Sequence, residues 1–176
     1  MAMKRSKKLC CVDKANVLES SRLWRETVQA MEKDYPEVSV SYEFVDAVAM
    51  RLVQWPSDYD VMITANLFGD ILTDEASVIS GSMGLMPSSS VGSAVSLYEP
   101  IHGSYPQAAG KDIANPLATV LSAAMLFEDF DLADEAQAIR DVVNKSLAEG
   151  IVTEDLAEGG RAYKTSEVGD WLAANM

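Results

Sequence analysis

Histidine occurs once in the 176 residues and cysteine only twice. With no CxxC pair, a structural zinc site has no ligand set to rest on. Cys10 and Cys11 are neighbours and point to opposite faces of any strand, so they do not pair with each other and read as reduced thiols. No apolar run approaches the eighteen or so residues that a membrane-crossing helix needs, which argues against a membrane partner. The opening MAMKRSKKLCCVDK has a basic patch but no apolar stretch of the kind a secretory leader carries. Positive charge is scarce overall: 14 Lys and Arg face 27 Asp and Glu, for a net charge of −13. Lys4, Arg5, Lys7 and Lys8 carry +4, which leaves −17 on residues 9–176. A body that acidic repels phosphate backbones, so nucleic acid is not an expected partner. The acidity suits a cytoplasmic protein.

What is present is an ordinary globular composition, 48% hydrophobic and 23% charged, patterned as alternating strands and helices. KKLCCVD (7–13) is a short apolar run and reads as a buried strand. ESSRLWRETVQAMEKDYP (19–36) places Leu23, Trp24, Val28 and Met31 on one stripe and stops at Pro36, which predicts an amphipathic helix. VSVSYEFVD (38–46) alternates Val38, Val40, Tyr42 and Phe44 and predicts a strand. AVAMRLVQWP (47–56) reads as a short helix, DYDVMITAN (58–66) as another buried strand, and the segment from Phe68 as the helix after it. Three such alternations are the pattern of a parallel α/β layer. Residues 81–112 then turn rich in Gly, Ser and Pro, with one strand expected near Ser93–Tyr98. Helices are expected at 114–130, with Pro116 in the first turn, and at 133–150, with Gly150 as the stop. A last helix opens at Ser166 and Glu167 in capping positions. Three strands and a few helices make a small core, and the chain reads as part of a larger protein.

The chemistry gathers at the strand ends. NLFGDILTDE (66–75) brings Asp70 and Asp74 one helical turn apart, a like-charge pair that costs an isolated helix roughly 0.2–0.5 kcal/mol. A hard divalent cation shared by the two would remove that cost. The alternative is that both acids favour the positive end of a helix dipole. Asp46 closes the neighbouring strand and Lys14 the first one. The C-terminal edge of an α/β sheet is where such folds place their ligands. A lysine beside a cation loses its proton more readily and can act as a base.

These segments resemble the isocitrate/isopropylmalate dehydrogenase family. NLFGDILTDEASVISGSMGL (66–85) is similar to that family's signature, VDKANVLESSRLWRE (12–26) to its catalytic-lysine segment, and EPIHGSYPQAAGKDIANP (99–116) to its NAD-binding loop. The likeness runs on through SLAEGIVTEDL to the end of the chain. It implies an α/β fold of the isopropylmalate dehydrogenase type, present only as a C-terminal fragment. Residues 1–80 would belong to the dimerising, substrate-binding domain and 81–176 to the nucleotide-binding domain. The helices at 47–55 and 69–80 resemble those that join two subunits in this family, so a homodimer is expected. A non-catalytic dimerisation module is the competing expectation.

The same resemblance implies oxidation of a 2-hydroxy acid with NAD or NADP, followed by loss of a β-carboxylate. Lys14 would take the hydroxyl proton. Asp70 and Asp74, with Asp46 from a second copy, would hold Mg²⁺ or Mn²⁺. Asn16 and Val17 would lie near the nicotinamide. His102, Gly103, Ser104 and Asn115 match the loop around the adenosine, which in this family is not a GxGxxG turn; none occurs here. Gln107 stands where NAD-linked members usually carry Asp, and Ala108 follows it, so the Lys-Tyr pair of NADP-linked members is absent and NAD is favoured. His102 as an ordinary loop residue remains open. The arginines that clamp the substrate belong to the absent half, so this chain alone is expected to be inactive.

Overall fold

The computed structural model describes residues 1–176 and divides them into two compact units, Met1–Ile79 and Ser80–Met176.

The first unit is a three-stranded parallel sheet with β1 (Lys8–Asp13) between β2 (Ser39–Phe44) and β3 (Val61–Thr64). β1 pairs with β2 from Lys8↔Ser39 to Asp13↔Phe44, and with β3 from Leu9↔Val61 to Val12↔Thr64. All three strands therefore end together. α1 (Glu19–Met31), α2 (Val45–Gln54) and the N-terminal part of α3 (Asn66–Ser80) complete the unit. Cys10 and Val12 point to one face of β1 and are buried with Val48, Leu52 and Leu72 from α2 and α3. Burying each large aliphatic of this set contributes roughly 1.5–3 kcal/mol. Cys11, on the other face, is fully buried, and both thiols are free. Burial pushes the Cys11 thiol up to about 11.

Several boundaries move from those expected. α1 ends at Met31 and continues only as a short 3-10 turn, Glu32–Asp34. Its predicted stripe is broken: Val28 is buried, while Leu23 and Met31 are exposed. Strand three is only Val61–Thr64, because Pro56 sets a 3-10 turn at Pro56–Asp58. Asp46 does not close a strand but stands in the first turn of α2, which begins directly after Phe44. α3 starts two residues before Phe68, and the Gly69 N–H already bonds the Ala65 carbonyl.

The second unit opens with a hairpin, β4 (Pro87–Val91) and β5 (Ser96–Pro100), antiparallel in the register Val91↔Ser96. The single strand expected here is thus one arm of a pair. Gly92 closes its loop by donating to the Val95 carbonyl at 3.2 Å, and a Cβ at Gly92 would meet that oxygen at 2.5 Å. α4 (Leu117–Asp129) lies against both strands and packs on α5 (Ala133–Glu149). Leu117, Val142 and Val143 share a core with Val168 and Leu172 of α6 (Thr165–Asn175).

Helix ends in this unit follow side-chain chemistry. Pro116 is the residue before α4, not inside its first turn, and the free Leu117 N–H is taken by the Asn115 Oδ1 at 2.9 Å. Gly150 adopts the left-handed conformation at φ 68° after α5 and lets the Ile151 N–H reach the Ser146 carbonyl. α6 begins one residue before Ser166. The Glu167 Oε2 accepts from the Lys164 N–H, and Ser166 donates instead to Asp112. No helix is long and apolar enough to cross a membrane.

Candidate active site

In the first unit the candidate residues are organised by a carboxylate that sequence reasoning passed over. Asp13, the last residue of β1, is 1% exposed. Arg25 of α1 grips it with two bonds, Nε to Oδ2 at 2.7 Å and Nη2 to Oδ1 at 3.0 Å. The Ala15 N–H also donates to Oδ1, at 2.8 Å. That closes a tight turn around Lys14 and ties strand end, turn and helix together. The Arg25 guanidinium lies over the Tyr42 and Phe44 rings of β2, which fixes the fork further. The signal in the sequence was the acid next to Lys14 with an arginine facing it from the following helix.

Lys14 leaves this turn half-buried, its Nζ 5.5 Å from the Phe44 ring centre and paired with Asp46. The register explains the pair. Asp13 lies beside Phe44, so the next residues on the two chains, Lys14 and the start of α2, are brought together. A hydrogen bond from Lys14, aided by backbone N–H groups at the start of α2, holds the Asp46 carboxyl below the usual carboxylate range. Asn16 and Val17 follow in the exposed part of the same turn.

Asp70 and Asp74 stand at the fifth and ninth positions of α3 and are both exposed. No acid occupies the first turn of this helix. The dipole's influence falls off within that turn, so it does not account for the pair. Asn66 donates to the Asp70 Oδ2 at 2.9 Å. Two carboxylates one turn apart on an open helix face present hard oxygen donors, a set that fits Mg²⁺ or Mn²⁺. No three acidic, histidine or cysteine side chains gather as a ligand set within the chain. Asp46 is not brought to this pair; its partner here is Lys14.

The second unit contains a cleft of about 740 Å³, a size suited to a small organic ligand. Its lining includes His102, Gly103, Ser104, Ala108 and Asn115. The other wall is knotted around a second residue missed from sequence, Asp155. Its carboxylate accepts from Ser82, from the Thr153 hydroxyl, and from the Asn115 Nδ2 at 2.9 Å. Burial alone would push the Asp155 carboxyl up. The bonds from Ser82, Thr153 and Asn115 outweigh it and hold the group below the ordinary range. Thr-x-Asp ahead of Leu156 was the available signal, a hydroxyl two residues from an acid.

Asn115 is thereby engaged at both ends of its amide, with Leu117 and with Asp155. Gly84 permits this placement: a Cβ there would meet the Asn115 Cβ at 2.6 Å. His102 is half-buried with Nδ1 3.0 Å from the Gly103 carbonyl. A carbonyl only accepts, so this contact requires the proton on Nδ1. Gly103 has nothing within 4 Å of where a Cβ would stand, so a ligand can approach the bare backbone. Gln107 is exposed in the Pro106–Ala108 turn and lies outside the lining, whereas Ala108 is buried and inside it. The residues that are present fit an adenosine: an apolar slot, bare loop backbone and a fixed polar wall.

A parallel α/β layer ending in a lysine–carboxylate pair, with a loop-walled cleft in the second unit, is an arrangement that fits a dehydrogenase. The family is established by comparison: the isocitrate/isopropylmalate dehydrogenase family model matches residues 1–172, and the chain belongs to that family. Among its relatives, the 3-isopropylmalate dehydrogenase of Bacteroides fragilis is 58% identical over 172 residues, 97% of this chain and 49% of that protein. The 3-isopropylmalate dehydrogenase of Clostridium acetobutylicum is 51% identical over 178 residues, 99% of this chain and 50% of that protein. Solved structures agree. Isocitrate dehydrogenase from Methylococcus capsulatus matches with a TM-score of 0.93 at 36% identity, covering 98% of this chain and 51% of that one. A beta-decarboxylating dehydrogenase from Thermococcus kodakarensis matches at 0.87 and 37%, covering 99% and 51%. The chain spans about half the length of the relatives it matches.

Proposed function

We propose that this chain carries the lysine, metal carboxylates and adenosine cleft of an NAD-dependent 3-isopropylmalate dehydrogenase, an enzyme of leucine biosynthesis. The observation that carries this reading is the Lys14–Asp46 pair at the C-terminal edge of the sheet, clamped in place by buried Asp13 and Arg25. Lys14, as the free amine, takes the proton of the substrate hydroxyl, and Asp46 beside it stabilises the ammonium that results. Asp70 and Asp74, with Asp46 of a second copy, hold the divalent cation. When bound, Mg²⁺ or Mn²⁺ supplies Lewis-acid stabilisation of charge on the substrate oxygens, and NAD accepts the hydride. The loop from His102 to Ser104 and the Ser82–Asn115–Asp155 wall hold the adenosine.

The test is NADH formation by the longer protein with 3-isopropylmalate, tartrate, malate or homoisocitrate, at varied Mg²⁺ and Mn²⁺. Isopropylmalate is expected to be turned over most efficiently. A larger kcat/KM for tartrate, malate or homoisocitrate would transfer the assignment to another member of the family. Asp70→Asn should raise the metal concentration needed for half activity. Unchanged metal dependence would remove Asp70 from the ligand set.

The 176 residues alone should show no turnover, because no arginine clamp for two substrate carboxylates has been identified in them and orientation supplies much of a barrier reduction. Turnover near an ordinary enzyme's rate, about 10 per second, would overturn that statement. A second reading, a non-catalytic homodimerisation module, is favoured by one observation. Met50 and Val53 of α2 and Leu67, Ile71 and Val78 of α3 are all more than half exposed. Sedimentation with Mg²⁺ titration separates the two readings: a dimer that binds no metal supports the module.

A further inference from the structure

Ile113, Ala114 and Asn115 line the cleft of the second unit, yet residues 111–116 belong to no helix or strand. Asp112, just ahead of them, has a left-handed backbone with φ at 57°. A residue other than glycine keeps that conformation where its surroundings over-determine it. Here the surroundings are the first turn of α6. The Asp112 carbonyl accepts from the Thr165 N–H at 3.0 Å. Its carboxylate accepts from the Ser166 N–H at 2.9 Å and from the Ser166 hydroxyl at 2.6 Å. Two residues on, the Ala114 carbonyl accepts from the Thr165 hydroxyl at 2.6 Å. α6 is itself seated firmly, because Val168 and Leu172 are buried in one core with Leu117, the first residue of α4.

Resting on the adenosine reading of the cleft above, we propose that Thr165 and Asp112 are positioning residues through which α6 sets this loop. Neither lines the cleft; both act through residues that do. The Thr165 hydroxyl fixes the carbonyl next to Asn115, and the Asn115 amide joins the loop to Asp155 on the facing wall. Without the hydroxyl, the left-handed turn at Asp112 is free to relax and carry Asn115 with it.

The experiment combines calorimetric titration of the 176-residue chain with adenosine 5′-monophosphate and amide hydrogen exchange. Thr165→Val keeps the outline of the side chain and deletes its hydroxyl. It should weaken nucleotide binding by about five-fold, the worth of one hydrogen bond. Exchange of the Leu117 N–H, which the Asn115 Oδ1 holds at 2.9 Å, should speed up by about the same factor. Thr165→Ser restores the hydroxyl and should return both values to those of the unsubstituted chain. Asp112→Ala removes two bonds to Ser166 and should weaken binding by about ten-fold or more. Exchange at Val142 and Val143 of α5, buried in the same core, should stay unchanged, which separates a moved loop from a loosened unit. By linkage, the nucleotide should slow exchange of the Ser166 N–H, and less so in Thr165→Val. Equal affinity in the unsubstituted chain and in Thr165→Val would overturn the inference. So would a Thr165→Ser chain as weak as Thr165→Val, or exchange that rises throughout α5. A nucleotide that fails to bind the unsubstituted chain would overturn the adenosine reading itself, and the positioning role would fall with it.

Discussion

The two units solve the problem of placing polar groups in opposite ways. In the first, ionised side chains meet directly: Asp13 with Arg25, Lys14 with Asp46. In the second, one carboxylate, Asp155, is ringed by two hydroxyls and an amide, and the rest of the lining is mostly small or apolar, with Glu154 exposed beside it. The first arrangement suits proton and cation chemistry, where full charges do the work. The second suits binding, where shape and donors have to be fixed without a strong field. The difference implies that single substitutions damage the two units unequally.

The largest effect is expected from Lys14. In the longer protein, Lys14→Ala should lower kcat by about 10²–10⁴-fold, the contribution of a positioned acid or base, while leaving metal affinity nearly unchanged. Near-normal turnover would take the lysine out of the mechanism and remove the chemical side of the contrast.

Asp13→Ala should come next. It leaves Arg25 half-buried without its partner and opens the turn around Lys14. Breaking such a buried pair costs about 3–5 kcal/mol, to be measured from the urea midpoint. Asp155→Ala, which removes bonds at a more open site, should cost nearer about 1 kcal/mol. Equal losses would erase the distinction between the units.

Gly84→Ala tests the shape argument alone, since no charge changes. The new methyl meets Asn115, and overpacking of this kind costs about 1–3 kcal/mol. Adenosine monophosphate binding should weaken with it; a substitution without effect would mean the Asn115 wall yields freely.

The smallest effect is at Asp60. Hydrogen bonds from Ser6 and Arg5 hold its carboxyl at about 2, against an ordinary value of 3.8. A depressed carboxyl stabilises the fold above its unfolded value and ceases to do so as pH falls through its folded value. Its contribution should therefore fade between about pH 4 and pH 2. Asp60→Asn should flatten that part of an acid titration followed by circular dichroism; an unchanged acid limb would count against the pairing.

Much of the first unit was legible because its strands are apolar runs and its first two helices end ahead of Pro36 and Pro56. The start of α2 was not, since Val45 and Asp46 continue the alternating pattern of β2 and only the turn of the chain shows where the helix takes over. Lys14, Asp46, Asp70 and Asp74 stood out by their charge next to apolar runs. Asp13 did not, because its role depends on Arg25, twelve residues away, and burial of a charge cannot be read from spacing. β4 was hidden for another reason: Pro87 and three consecutive serines carry no apolar period, and the strand forms because β5 and α4 lie against it. Asp155 escaped because two of its three partners, Ser82 and Asn115, come from loops distant in sequence, and Thr153 alone does not set it apart.

The alternation along β1 has a consequence for anyone who would alter this protein. Cys10 and Val12 fill one side of the sheet, Cys11 and Asp13 the other, and Lys14 takes its heading from the residue before it. Slipping the strand by a single residue would exchange the two sides and turn every one of these groups over. The apolar residues of β1 are therefore also an aiming device. A library that randomises Cys10 and Val12 while keeping them hydrophobic should keep the strand in register and the lysine on its heading, whereas polar residues there should lose both together.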